Sequence, residues 1–102
     1  MPTMVVLVRL NAGVSPGDYE RWVLESYAPA VMQLPSVSDW RNYRVTNLLG
    51  PGGRPPYDYV VTLEVADLGR LGEDMSGDRM QELLSELHGY AEATQLMAER
   101  FV

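Results

Sequence analysis

Residues 3–10, TMVVLVRL, constrain the fold more than any other stretch of the chain. Read as a strand, they place Met4, Val6, Val8 and Leu10 on one face and Val5 and Leu7 on the other. A strand that is apolar on both faces belongs inside a sheet covered on both sides. The following turn, Asn11-Ala12-Gly13, leads into a helical signature. Ser15 stands at the N-cap, Pro16 at the first helical position, and Asp18 in the first turn. Tyr19, Trp22, Val23, Ala30 and Leu34 then recur at the spacing of one buried helical face. Two residues disturb that face. Ser26 falls near its centre beside Tyr27, and Pro29 removes a backbone N–H and crowds the Glu25 carbonyl, so the helix is expected to kink or restart there. A kinked helix with inward hydroxyls suits a lined cavity as well as a solid core.

The remaining elements follow in order. Pro35 stops the helix, and residues 37–46 read as a second strand, less apolar and so placed at an edge. Residues 48–56, LLGPGGRPP, are a proline- and glycine-rich loop of hairpin type. Residues 57–65, YDYVVTLEV, form a third strand with Tyr57, Tyr59, Val61 and Leu63 on one face. Asp67 caps a short helical turn carrying Leu68, Leu71 and Met75, and Ser76-Gly77 interrupts it. A longer helix capped by Asp78 shows Met80, Leu83, Leu84, Leu87 and Ala91 on one side, and residues 94–102 read as a last strand.

Two crossover units of this kind predict an α+β, ferredoxin-like βαββαβ plait over residues 1–102. It is a single domain with a four-stranded antiparallel sheet and both helical segments on one face. The opposite face would carry Val5, Leu7, Val45, Val60 and either Met97 or Phe101. An apolar face of that kind is costly to leave wet, which predicts a homodimer packed sheet to sheet.

Composition narrows the function. The net charge of −6 and the lack of any basic block argue against nucleic acid and anionic membranes as partners. No cysteine is present, so there is no thiolate nucleophile, and no pair of ligand-type residues has metal-site spacing. No leader or membrane-spanning stretch is evident, and a cytoplasmic location is expected. His88 is the only histidine, at the edge of the second long helix's apolar stripe, where it is either a flank residue or an acid–base group at a cavity rim. Tyr27, Tyr57, Tyr59 and Tyr90 can each face the space between helices and sheet. With Trp22 they suit a flat aromatic ligand. Arg79, beside the Ser76-Gly77 break, is either a solvated charge or an anion hook.

The segments MVVLVRL, SPGDYERWV, LPSV, YRVTNLLG, PPYDYV and LEV resemble the RedY-like proteins of prodiginine and related pyrrole or indole alkaloid pathways, over nearly the whole chain. More distantly the chain is similar to the dimeric α/β-barrel group, which includes small polyketide cyclases, EthD-like proteins and cofactor-free monooxygenases. That resemblance implies a sheet-to-sheet dimer with a site between sheet and helices and His and Tyr side chains as acid–base groups. Tyr27 stands where a His-x-Pro segment of the wider group has its histidine, ahead of Pro29. Tyr59 stands where the small cyclases place another, and Arg79 falls near a third. The expectation is a cofactor-independent enzyme that cyclises or dehydratively condenses a reactive pyrrole- or indole-type intermediate. His88 would move a proton, and Tyr27 and Tyr59 would hold an oxygen. Met4, Val6, Val8, Trp22, Val23, Ser26, Arg79, Leu84 and Tyr90 would contact the substrate. A non-catalytic protein that shelters such an intermediate, and a small monooxygenase of the same fold, are the alternatives.

Overall fold

The computed structural model describes residues 2–50 and 52–102. Its strands are β1 (Thr3–Leu10), β2 (Val37–Arg44), β3 (Tyr59–Val65) and β4 (Ala91–Ala98), in the order β2-β3-β1-β4. All three pairings are antiparallel. The strand with two apolar faces, β1, lies in the interior, and the less apolar β2 lies at an edge, as its composition requires. The helices are α1 (Pro16–Trp22), α2 (Ala28–Val31), α3 (Leu68–Met75) and α4 (Asp78–Tyr90), with a π-helical turn at Val23–Tyr27 joining α1 to α2. This is the expected ferredoxin-like plait. No helix is long and apolar enough to cross a membrane among the described residues.

The start of α1 follows its sequence signature. The Ser15 hydroxyl accepts from the Asp18 N–H at 3.2 Å, and Pro16 occupies the first turn. Asp67 caps α3 in the same way, accepting from the Arg70 N–H at 3.1 Å. The cap of α4 differs: Gly77, extended at φ −64° and ψ 152°, is the N-cap, and Asp78 is the first helical residue. In β2 a bulge falls between Ser38 and Arg41. Asp39 adopts φ 51° there, a left-handed conformation that aspartate tolerates better than most residues, and its carboxylate accepts from Arg41 Nε at 2.9 Å.

Three strand expectations are corrected. β2 ends at Arg44 and β3 begins at Tyr59, because the loop between them extends to Asp58, whose carbonyl accepts from the Val45 N–H. Within that loop Gly50, Gly52 and Gly53 take positive φ, and Pro51 lies outside the described residues. β4 begins at Ala91, directly after α4, rather than at residue 94. Ala91 is already extended and pairs with Leu10, while the Asn11 N–H ties the turn to the Tyr90 carbonyl. The strand therefore ends at Ala98, and Phe101 is left 95% exposed beyond it.

This register also decides the faces. Met97 pairs with Met4 and so shares the helix-covered side, whereas Leu96 pairs with Val5 on the other. The uncovered face therefore holds rows such as Tyr43, Val60, Leu7 and Thr94, and Arg41, Thr62, Val5 and Leu96. Tyr43 and Leu96 are about half exposed there. On the covered side, Val8, Tyr59, Val61, Leu63 and Val65 pack with Trp22, Val31, Leu83 and Leu87 into the core.

Candidate functional site

Between the helices and the covered side of the sheet lies a cavity of about 200 Å³. Its floor is built from Met4, Val6, Val8, Val61 and Leu63; Leu71, Met75, Leu84 and Leu87 of α3 and α4 close one side, and Tyr19, Tyr27 and Val31 another. Trp40, Asn42 and Gln95 stand at the strand edges. The π turn explains why Tyr27 faces inward. Across it the Ala28 N–H bonds to the Val23 carbonyl, five residues back, so the turn takes one residue more than an α turn. The inward position after Val23 therefore moves from Ser26 and Ala30 to Tyr27 and Val31. Val31 is buried and Tyr27 lines the cavity, while Ser26 is half-buried and does not. Pro29, which has no N–H to give to an α-helical bond with Glu25, sits just beyond the turn.

Tyr19 and Tyr27 are the tyrosines that line the cavity. Neither phenol has a hydrogen-bond partner in the protein among the described residues. Burial pushes the Tyr19 phenol up to about 12, with the neighbouring Tyr27 adding to it, and burial raises Tyr27 as well. Both are neutral donors at pH 7. Trp22 lies behind them, stacked between Tyr27 at 5.1 Å and Tyr90 at 5.2 Å, and its buried indole N–H has no partner among the described residues. Trp22 and Tyr90 thus support the wall without lining the cavity.

The other expected residues lie elsewhere. His88 is exposed on α4 and outside the cavity; its backbone carbonyl accepts from the Asn11 side chain at 3.0 Å. The helix turns Leu84 and Leu87 inward, and that leaves His88 on the solvent side. Arg79 is also exposed, paired with Glu82 at 3.3 Å. Tyr59 is buried, but its hydroxyl donates to Glu20 at 2.7 Å and opens onto a separate cleft of about 310 Å³. Val23 lines that cleft too, with Leu24, Tyr43 and Arg44. Glu20 also accepts both nitrogens of a bidentate Arg44 contact, which joins α1 to the edge strand β2. Arg44, then Tyr59, holds the Glu20 carboxyl at about 2. The cleft and the cavity share Tyr19 and Asn42 as common walls. Met4, Val6, Val8, Tyr27 and Leu84 are therefore the expected site residues that this cavity brings together.

Tyr19, Trp40, Asn42 and Gln95 were not singled out by sequence. Tyr19 reads as one more apolar position of α1, although a phenol at the centre of a buried stripe carries a hydroxyl that needs a partner. Trp40 and Asn42 alternate on β2, which marks a shared face, but the bulge at Asp39 hides which face it is. Among the described residues no group of three or more His, Cys, Asp or Glu side chains could hold a metal ion.

A family model described as REDY-like protein HapK matches residues 2–101. The chain belongs to the REDY-like HapK family. No curated protein matches it. Among solved structures, HapK from Hahella chejuensis is similar at 24% identity and a TM-score of 0.81, covering 99% of this chain and 93% of that one. SnoaB from Streptomyces nogalater, a cofactor-independent oxygenase, shares the fold at 11% identity and a TM-score of 0.78, with 99% and 93% covered. A dimeric ferredoxin-like protein of unknown function from Thermobifida fusca is similar at 16% identity and a TM-score of 0.69, with 95% and 90% covered. In this HapK-family chain the helix-covered cavity is thus carried by a fold that also occurs in an oxygenase, and the fold alone does not assign a reaction.

Proposed function

We propose that this HapK-family protein binds a small, flat, pyrrole- or indole-type intermediate of secondary-metabolite biosynthesis and promotes its cyclisation or dehydrative condensation, working as a homodimer. The observation that carries the reading is the pair of unpartnered phenols, Tyr19 and Tyr27, facing an apolar cavity. At about 200 Å³ the cavity suits one or two fused rings rather than a larger ligand. When an electron-rich ring carbon attacks a carbonyl carbon, the C=O π pair moves to oxygen. Neutral phenol donors stabilise that developing charge and supply the proton that turns it into a hydroxyl. The ring proton then returns to the phenolate, which restores the ring's aromaticity, and loss of water gives the conjugated product. His88 has no place in this scheme, because it is exposed outside the cavity.

A second reading rests on a different observation: among the described residues no histidine or carboxylate lines the cavity. A site without a group that titrates near neutral pH suits sheltering a reactive intermediate as well as transforming it.

The test is the coloured condensation of pyrrole-2-carbaldehyde with 2-methylpyrrole, with and without protein, followed by absorbance. For the enzyme, Tyr27→Phe and Tyr19→Phe should each lower the rate about 100-fold while binding changes only a few-fold, as for loss of one oxyanion donor. His88→Gln should keep full turnover. Binding without acceleration would make the protein a shelter, and absence of both binding and acceleration would remove the reading.

A further inference from the structure

Asn42 pairs with Val61, Val61 with Val6, and Val6 with Gln95. These four residues form one row across the whole sheet, from the edge strand β2 to the edge strand β4, and all four line the cavity. The middle of the row is two valines, and each end is a carboxamide. Neither carboxamide has a hydrogen-bond partner in the protein among the described residues. Both stand on exposed edges of the cavity, where they are free to turn toward a ligand.

We propose that Asn42 and Gln95 are the specificity-determining pair of this cavity and select a flat ligand with a hydrogen-bonding group at each end. The inference rests on the ligand-binding reading above and names the class of ligand. Each carboxamide is both donor and acceptor, so it engages a ring N–H or a carbonyl with equal ease. Neighbouring strands lie about 4.8 Å apart, so the two ends of the row are roughly 14 Å apart. After a hydrogen bond of about 3 Å at each end, roughly 8 Å remains for the ligand, the span of a two-ring system with a substituent. The valines between offer a smooth floor to its face. A ligand with one polar end leaves one carboxamide unused, and a ligand with none gains only apolar contact.

Three probes of similar shape separate these cases in binding titrations with the full-length protein. Indole-5-carbaldehyde has an N–H at one end and a carbonyl at the other, indole has the N–H alone, and naphthalene has neither. Each end should contribute about fivefold in affinity, the worth of one ordinary hydrogen bond. The aldehyde should therefore bind tightest and naphthalene weakest. Asn42→Leu and Gln95→Leu should each bring the aldehyde down to the level of indole, and the double variant should bind all three alike. Naphthalene binding should persist throughout, which shows that the cavity is intact. Equal affinity of the wild type for all three probes, or variants that weaken all three equally, would overturn the pairing while leaving the ligand-binding reading in place. Failure of every probe to bind the wild type would overturn both.

Discussion

Replacing Tyr59 by Phe isolates one bond in the network that joins α1 to the sheet edge. The ring stays, with its tilted contact to Tyr19 at 4.9 Å, and only the 2.7 Å donation to Glu20 is lost. A hydrogen bond to a charged acceptor is worth about 1.5–3 kcal/mol. Glu20 keeps Arg44, and its side chain is 29% exposed, so water replaces part of what is removed. The expected loss is therefore about 1 kcal/mol, or about 5 °C in Tm for a domain of this size. The pH dependence is the sharper signature. Arg44 first, and Tyr59 second, lower the Glu20 carboxyl from its ordinary 4.5 to about 2. A carboxyl lowered on folding stabilises the protein above its unfolded value and loses that stabilisation as pH falls toward the folded one. The variant has less of it to lose. Thermal unfolding followed by circular dichroism should show the largest gap between wild type and Tyr59→Phe at neutral pH. The gap should narrow below about pH 4.5 and nearly close near pH 2. A gap of the same size at both ends of that range would refute the electrostatic origin and assign the loss to packing.

The uncovered sheet face predicts self-association: light scattering should give twice 11.4 kDa for the wild type, and Leu7→Lys, at the centre of that face, should shift the mass toward 11.4 kDa. A wild-type monomer with an intact circular dichroism spectrum would remove the dimer. Pro29→Ala restores an N–H beside the π turn and should let it relax toward an α turn, raising Tm by a few degrees and weakening indole binding as Tyr27 rotates away. Unchanged stability together with unchanged binding would mean that packing, and not Pro29, holds the turn.

Most of the fold was legible because each element carried its own local signal. The two apolar faces of Thr3–Leu10 demanded an interior strand, and the Ser15-Pro16 and Asp67 signatures marked two helix starts. The start of the last strand is hidden because Ala91, Glu92 and Ala93 are good helix formers that read locally as a continuation of α4. What decides them is pairing with Leu10, Arg9 and Val8, some eighty residues away in the chain. Arg9 and Glu92 are partners in that register and form a 2.6 Å ion pair, a contact that no local pattern announces.

The site was legible only where local geometry survived intact. His88 drew attention by elimination, as the one imidazole, but elimination says nothing about where a helix turns its side chains. Leu83 and Leu87 set the buried face of α4, and His88 follows Leu87 onto the solvent side. The phenols reverse that lesson. Tyr19 and Tyr27 are eight residues apart, which on a straight α-helix would leave them about 80° out of line. The π turn between them takes up an extra residue, and both then face one cavity. A proline that would crowd the Glu25 carbonyl in an α-helix is the local mark of that change. In the sequence Pro29 reads as a defect in the helix, and in the fold it stands beside the turn that brings two tyrosines to one valine-floored cavity.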